Sequence, residues 1–351
     1  MKKILIIQHK MIGDVLTSSI LCEAIKHKYS GTEVHYLVNE HTLPVLENNP
    51  YIDQKIIYTP AMEKNAKLAK ELRSTLAIQN YDAVIDVYSK LGSARISKAT
   101  KAKIRVGYKK WYTQAIYTDV YSYHYTAETE AGLAIENRMK LLQAIDLDFP
   151  KALKPKLYVT KEEIAIAKAT LAEYRNLPDQ KLYMIGILGS APNKTYPLPY
   201  LAKVLDAIVE KTEAQLLFNY IPKQIDQVEE LYMLCSEKTQ QHILKDVYGK
   251  SLREFIALTT QCDALIGNEG GAINMAKALD IPTFAIFSPW IRRAAWALYE
   301  NDQNYVIHLQ DYQSSVYSSK SLKDIKKKQD YYYSLLLPEL FKEKLELFLE
   351  T

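Results

Sequence analysis

A single carboxylate, Asp14, stands where a general base could act. It follows Gly13 in the loop after the first apolar run, residues 4–7, which is typical of a central strand covered on both faces. Such loops lie at the sheet edge where open α/β folds bind ligands. A carboxylate at a helix N-terminus is held ionised and can take a proton from a hydroxyl group. The spacing alone favours a simpler interpretation, in which Asp14 only caps the helix that it opens.

A phosphate site is indicated by the stretch 263–289, DALIGNEGGAINMAKALDIPTFAIFSP. Two short apolar runs flank a helical segment, which predicts a βαβ unit with parallel strands. Gly267, Gly270 and Gly271 lie at the mouth of the helix, where backbone can approach a bulky group. The free N–H groups of that helix end favour an anion, most often phosphate. Glycines in such a turn also serve structure alone.

Two further loops carry residues suited to an anion. The segment GSAPNK at 189–194 offers the hydroxyl of Ser190 and the ammonium of Lys194, a pair that suits a diphosphate. A solvated loop lysine explains Lys194 equally well. The segment Gly249-Lys250 follows another expected strand, but there the next residue, Ser251, is better explained as a helix N-cap.

The elements that position these loops alternate between strand and helix through the whole chain. The pattern predicts an α/β protein with two Rossmann-like, doubly wound domains and an interdomain cleft. The linker PKALKP at 150–155 divides an N-terminal domain (1–155) from a C-terminal domain (156–330), and an amphipathic helix closes the chain (331–351). The expected strands are 4–7, 33–38, 54–58, 83–87, 104–107, 182–188, 215–219, 243–247, 264–267 and 283–287. A long helix is expected over 128–144.

Composition narrows the function classes. The 351 residues, 48% hydrophobic and 25% charged, are those of an ordinary globular protein with about two domains. A net charge of +4 permits an anionic partner without requiring nucleic acid. Three scattered cysteines predict a reduced cytosolic compartment. No run approaches the ~20 apolar residues of a spanning helix, so we expect a soluble or at most peripheral protein.

Several catalytic motifs are absent from the sequence. There is no GxSxG elbow, no GxxxxGK[ST] loop and no HExxH helix. The full GxGxxG fingerprint is missing too, which argues against a nicotinamide enzyme. The pair Asp146 and Asp148 closes a predicted helix, away from any strand end, and does not indicate a metal site.

Together these segments resemble glycosyltransferase family 9, the ADP-heptose:lipopolysaccharide heptosyltransferases. The resemblance rests on KKILIIQHKMIGDVLTSSILCEAIK at the N-terminus, GSAPNKTYPLPYLAKVLDAI in the middle, and GKSLREFIALTTQCDALIGNEGGAINMAKALDIPTFAIFSP further on. It implies a GT-B fold, in which the C-terminal domain holds most of the donor nucleotide and a final helix returns to the N-terminal domain.

The resemblance also implies roles for individual residues. The Gly-Asp pair of the family matches Gly13-Asp14, with Asp14 as catalytic base, and its Gly-Ser-x-x-x-Lys loop places Lys194 on the donor diphosphate. Its Gly-Asn-Asp-Thr-Gly-x-x-His segment is matched with three departures, Glu269 for Asp, Gly270 for Thr and Asn274 for His. The donor-binding set implied in this way is Gly13, Gly189, Ser190, Lys194, Gly249, Lys250, Asn268, Glu269, Gly270, Gly271 and Asn274.

The implied reaction is an inverting transfer that uses neither cofactor nor metal. Asp14 takes the proton of an acceptor hydroxyl while that oxygen attacks the anomeric carbon of a nucleotide-diphosphate sugar, ADP-heptose in the family. The charge that grows on the departing diphosphate is met by Lys194, Ser190 and the helix that starts near Gly271.

The N-terminal half is expected to bind the acceptor, a lipid-linked saccharide of the lipopolysaccharide core or another envelope saccharide. The basic, tyrosine-rich segment 109–125 is the candidate surface, and a loop packed on its own domain is the equal alternative. We expect a cytoplasmic monomer, in peripheral contact with the inner face of the cytoplasmic membrane, that binds no nucleic acid.

Two other functions fit part of the pattern. A different GT-B enzyme, such as a nucleotide-sugar epimerase, would need no saccharide acceptor. A non-catalytic nucleotide-sugar-binding protein would explain the three departures from the family motif. The presence of Asp14 and Lys194 argues against lost activity.

Overall fold

The computed structural model describes residues 1–174, 180–318 and 320–350, which form two compact units. The first comprises Met1–Tyr158 and Ala294–Leu298, and the second comprises Val159–Arg293 and Tyr299–Thr351. The boundary expected at 155/156 thus lies close to the observed one at 158/159. The short return of 294–298 to the first unit was not expected from the sequence.

The first unit is built on a parallel sheet of six strands in the order β3-β2-β1-β4-β5-β6. The strands are β1 (Lys3–Ile7), β2 (Glu33–Val38), β3 (Gln54–Ile57), β4 (Ala83–Asp86), β5 (Ile104–Tyr108) and β6 (Asp119–Tyr121). The side chains of residues 4–7 are fully buried, as a strand with neighbours on both sides requires. Because β2 and β4 lie on opposite sides of β1, the strand order reverses between β1 and β4, and the loop after β1 opens at that point.

Six helices cover this sheet. They are α1 (Ile12–Ser18), α2 (Ile20–Lys28), α3 (Pro60–Lys64), α4 (Ala66–Ala77), α5 (Leu91–Ala99) and α6 (Leu133–Lys140). The helix expected over 128–144 is shorter than predicted. The carboxylate of Glu136 accepts hydrogen bonds from the backbone N–H groups of Glu128 and Thr129, which draws that segment into a turn ahead of the helix. Gly132, with φ at 81°, then precedes its first residue.

The second unit carries a parallel sheet of five strands in the order β11-β10-β9-β7-β8. The strands are β7 (Leu182–Gly186), β8 (Gln215–Phe218), β9 (Ala264–Asn268), β10 (Thr283–Ile286) and β11 (Asn304–Ile307). The prediction of a strand at 243–247 was wrong. Ile243 makes one isolated bridge to Leu216, and the chain then turns at the polar pair Lys245-Asp246. The order of this sheet reverses between β7 and β9.

The helices of the second unit continue the alternation. They are α7 (Lys161–Ala172), α8 (Leu198–Thr212), α9 (Ile225–Leu234), α10 (Glu237–His242), α11 (Leu252–Thr259), α12 (Gly271–Ala278), α13 (Arg293–Trp296), α14 (Leu309–Tyr312), α15 (Leu322–Lys327), α16 (Gln329–Leu335) and α17 (Lys342–Leu349). Of α13, Arg293 alone belongs to the second unit, and its other three residues belong to the first.

The C-terminal segment differs from the expectation that it returns to the N-terminal domain. It belongs to the second unit, where Phe341, Leu345 and Phe348 are buried in the core. The ring of Phe348 lies 5.5 Å from that of Phe284 on β10, so burial of this apolar face explains where the helix packs. In the described ranges, no helix has both the length and the apolar character needed to cross a bilayer.

Candidate functional site

The structure brings together two of the predicted anion-binding loops at the reversal point of the second sheet. These loops follow β7 and β9, which are neighbours in the sheet. Asn268, the last residue of β9, joins them through its side chain. Its Oδ1 accepts a hydrogen bond from the backbone N–H of Tyr196 (2.6 Å), and its Nδ2 donates to the carbonyl oxygens of Gly186 and Ile187 (3.0 Å each). Asn268 therefore holds the two loops in register.

Two of the glycines are required by close backbone packing within the protein. A Cβ atom at Gly189 would collide with the carbonyl oxygen of Lys194. At Gly267, where φ is 142°, a Cβ would collide with the backbone of Gly186. Close packing within the protein is therefore enough to explain why Gly189 and Gly267 are glycines. Gly270 differs, because a Cβ there would meet no atom within 4 Å, which leaves open space in front of Gly271 at the start of α12.

Lys194 is the cation of this site. Its Nζ lies 3.9 Å from a carboxylate oxygen of Glu269 and 5.6 Å from the ring centre of Trp290. The backbone N–H of Lys194 donates to the carbonyl of Ala191 (2.9 Å), and the indole N–H of Trp290 donates to the carbonyl of Asn193 (2.7 Å). The loop is therefore closed on itself and tied to the segment after β10. Because Glu269 is nearly buried, its carboxylate offsets part of the lysine charge.

A cavity of about 390 Å³ borders the same loop. Ser190 is exposed and contributes to its lining together with Gly189, and Gln224 and Gln227 line it from the segment after β8. Asn274, which replaces the family histidine, is buried on α12, and its backbone N–H donates to the carbonyl of Gly270 (3.2 Å).

Gly249 and Lys250 line none of this cavity. A Cβ at Gly249 would collide with the backbone of Phe255, so the glycine serves the packing of α11. Lys250 borders a different cavity, of about 250 Å³, between α7 and α11. Hydrogen bonds from Arg253 to the carboxylate of Glu163 lower the pKa of that carboxyl to about 2 at the edge of this cavity. Ser251 caps α11 as predicted, accepting from the N–H of Glu254 (3.2 Å).

Asp14 lies in the first unit, at the third position of α1. Its Oδ1 accepts a hydrogen bond from Nη2 of Arg138 (2.7 Å). Its Oδ2 meets the backbone N–H of Met11 at 3.4 Å, which is long for a cap. The side chain is 29% exposed, so solvent reaches the carboxylate. Asp14 therefore makes a capping contact from the third position of the helix, as part of a capping box with Met11, and its other oxygen pairs with Arg138.

Arg138 was missed by the sequence reasoning. It is buried on α6, where Nε donates to the hydroxyl of Ser18 (2.8 Å) and Nη1 to the carbonyl of Ala134 (2.6 Å). Its guanidinium also faces the ring of Trp296 at 5.7 Å. The available signal was an arginine on the apolar stripe of α6, three residues after Ile135, because a buried charge on such a stripe needs a partner.

The tyrosine-rich segment 109–125 divides between core and surface. Tyr117 is buried and donates its hydroxyl proton to Asp86 (2.6 Å), whose pKa burial raises to about 6. Trp111, in contrast, is 87% exposed. Nearby in the sheet, His9 follows β1 and stacks on Tyr58, and burial lowers its pKa to about 4. Packing on the domain thus explains part of the segment and leaves Trp111 available to solvent.

The described part of the chain contains no group of three His, Cys, Asp or Glu side chains placed to hold a metal ion.

Comparisons with known proteins agree with this architecture. The model of glycosyltransferase family 9 (heptosyltransferase) matches residues 65–325. Lipopolysaccharide heptosyltransferase 1 of Campylobacter coli is 26% identical over 298 residues, which cover 81% of this chain and 83% of that protein.

Solved structures of similar proteins cover nearly the whole chain. The family 9 glycosyl transferase of Veillonella parvula superposes with a TM-score of 0.82 at 19% identity, over 100% of this chain and 98% of that one. The Escherichia coli heptosyltransferase WaaC with ADP gives 0.65 at 16% identity, over 94% and 99%. These similarities establish the GT-B fold. Because the family model matches most of this chain, the chain belongs to glycosyltransferase family 9 and is a glycosyltransferase.

Proposed function

We propose that the protein transfers a heptose, or a related sugar, from a nucleoside-diphosphate donor to a saccharide of the cell envelope, with inversion at the anomeric carbon. ADP-heptose is the proposed donor and a lipid-linked lipopolysaccharide core saccharide the proposed acceptor. The observation that carries the proposal is that the β7 loop, which contains Lys194, and the β9 loop meet at the reversal point of the second sheet in a member of this family.

On the donor side, the protein must stabilise the negative charge that develops on the leaving diphosphate. As the bond from the anomeric carbon to the diphosphate breaks, the leaving group keeps the electron pair and gains charge. In the proposed site, Lys194 and the hydroxyl of Ser190 meet that charge, together with the free N–H groups at the start of α12, which begins next to the open space at Gly270. Preorganised donors of this kind are worth about 10²–10³-fold each in rate.

The acceptor end needs a base. In the proposed step, Asp14 accepts the proton of the acceptor hydroxyl while that oxygen forms its bond to the anomeric carbon. Arg138 donates to Oδ1 at 2.7 Å, whereas Oδ2 has the longer contact, 3.4 Å to the N–H of Met11, so in the proposed step Oδ2 takes the proton. A base of this kind contributes about 10²–10⁴-fold.

The three departures from the family motif are proposed to act on donor choice. Glu269 lies against Lys194, and Gly270 provides space where a larger side chain would stand. The proposed setting is the cytoplasmic face of the inner membrane, where a monomer acts without a metal on its lipid-linked acceptor.

The test is donor binding and transfer by purified protein. We expect ADP-heptose to be consumed only when acceptor is present. Lys194→Ala should weaken donor binding about 10–100-fold, because a hydrogen bond to a charged group contributes about 1.5–3 kcal/mol. The control, Lys168→Ala, removes an exposed lysine on α7. Release of an epimer or free sugar from donor alone would favour the epimerase instead, and an unchanged donor Kd in Lys194→Ala would refute the contact.

A further inference from the structure

Two lysines from distant parts of the second unit approach the same aromatic ring. Nζ of Lys326 lies 4.3 Å from the ring centre of Trp290, and Nζ of Lys194 lies 5.6 Å from it. We propose that Lys326 is a second cation for the diphosphate of the donor, acting beside Lys194 with Trp290 as their common support. The inference rests on the proposed function, because it adds a residue to the same donor site.

The fold fixes the start of the Lys326 side chain. Helix α15 is capped by Ser321, whose hydroxyl oxygen accepts from the N–H of Asp324 (3.2 Å). The next residue, Ile325, is fully buried in the core of the unit. Lys326 follows directly, so its backbone is anchored while its side chain is exposed.

Hydrogen bonds also hold Trp290 and the residue before it in place. Its indole N–H donates to the carbonyl of Asn193, the residue before Lys194. The preceding residue, Pro289, accepts a hydrogen bond from the hydroxyl of Tyr317 (2.9 Å). The ring therefore joins the Lys194 loop to the segment after β10, and it places α15 beside that loop. Since both ammonium groups lie near one ring centre, their separation is at most about 10 Å.

In this proposal, Lys326 supplies positive charge for the diphosphate that Lys194 alone does not balance. Lys194 shares its charge with Glu269 at 3.9 Å, whereas Lys326 makes no ion pair in the described part of the chain. A departing nucleoside diphosphate carries charge on two phosphate groups, so one partly offset ammonium leaves much of it without a partner. An ammonium on a flexible stem can follow that charge as it grows. Two cations at separate positions can each contact one phosphate.

The simpler interpretation is that Lys326 only packs on Trp290, as lysines do on exposed aromatic rings. That role would affect the stability of α15 and leave anion affinity unchanged. The two interpretations therefore differ in a binding measurement made on folded protein.

The experiment is titration calorimetry of the full chain with inorganic pyrophosphate, ADP, AMP and adenosine. We compare Lys326→Ala with Lys194→Ala and with Lys327→Ala, which removes an equal charge from the same helix without contact to the ring. Lys326→Ala should weaken ADP and pyrophosphate binding about tenfold, AMP less, and adenosine not at all. Lys326→Arg should retain most of the affinity, and melting temperatures verify folding.

The outcomes separate this inference from the proposed function. If Lys194→Ala weakens ADP binding and Lys326→Ala does not, the second cation is refuted and the donor site stands. Equal losses in Lys326→Ala and Lys327→Ala would also refute it, because they would reflect general charge. If the unaltered protein binds neither ADP nor pyrophosphate, the proposed donor site fails and the inference fails with it.

Discussion

Replacing Arg138, which donates a hydrogen bond to Asp14, is the most informative perturbation of the proposed base. All three guanidinium nitrogens donate hydrogen bonds, to Ser18, Ala134 and Asp14. Replacing Arg138 by Lys keeps the charge but loses the planar fork, so at most part of this set can be reached. Replacing it by Ala removes the charge from a buried position and takes the guanidinium hydrogen bonds away from Ser18, Ala134 and Asp14.

The magnitudes follow from these contacts. Removing one partner of a buried pair costs about 3–5 kcal/mol, so Arg138→Ala should lower the free energy of unfolding by about that amount at most, because the Asp14 side chain is partly exposed. Arg138→Lys should lower it less. In Arg138→Ala the carboxylate loses its fixed orientation, and in Arg138→Lys it keeps part of it. A misplacement of about 1 Å can cost 10²-fold in rate, so we expect kcat to fall by about that factor in Arg138→Ala and by less in Arg138→Lys.

The assay is steady-state transfer with purified variants, together with donor Kd by calorimetry. The expected result is a lower kcat with donor KM and Kd unchanged, and a partial return of rate in Arg138→Lys relative to Arg138→Ala. The control is Arg105→Lys, since Arg105 also donates to backbone carbonyls in the first unit and has no contact with Asp14 among the described residues. Wild-type kcat in a folded Arg138→Ala variant would refute the reasoning.

Two further predictions concern stability. Burial lowers the pKa of His9 and of His308 from 6.5 to about 4. Both are therefore neutral in the fold but protonated in the acidified unfolded chain, so their contribution is complete above pH 6.5 and is lost as pH falls toward 4. By pH 5 the loss should approach about 2 kcal/mol for each, and equal urea midpoints at pH 7 and 5 would contradict it. Gly267→Ala should cost about 1–3 kcal/mol, because φ is 142° and Gly186 blocks the added Cβ, whereas Gly92→Ala, an open helical position, should be neutral or stabilising. Urea unfolding of both variants checks this, and similar midpoints would count against the clash.

The sequence predicted most of the strands and the loops that follow them. Continuous apolar runs such as 4–7 predicted buried parallel strands because both faces of such strands are covered. The ends of parallel strands meet at one edge, and the hydrogen bond from the N–H of Tyr196 to Asn268 joins the segments that follow β7 and β9. Short strands with weak patterns, β6 and β11, escaped the reasoning.

The missed residues act through contacts between distant parts of the chain. Arg138 is 124 positions from Asp14. Lys326, on α15, contacts the ring of Trp290, which lies after β10. Neither spacing nor period indicates such a pairing, because it depends on how helices pack over the sheet. The roles of Gly189, Gly249 and Gly267 were also hidden, since a glycine required by close backbone contact and one that faces a ligand have the same sequence signature.

The most direct test of the central claim is the turnover of Asp14→Asn with the natural donor and acceptor. Asparagine keeps an oxygen that Arg138 can bond, so the fold and the donor site should be preserved. We predict a fall in kcat of about 10²–10⁴-fold with donor Kd unchanged. Turnover at the wild-type rate would contradict the account, because the protein would then catalyse transfer without the base on which the proposed reaction depends.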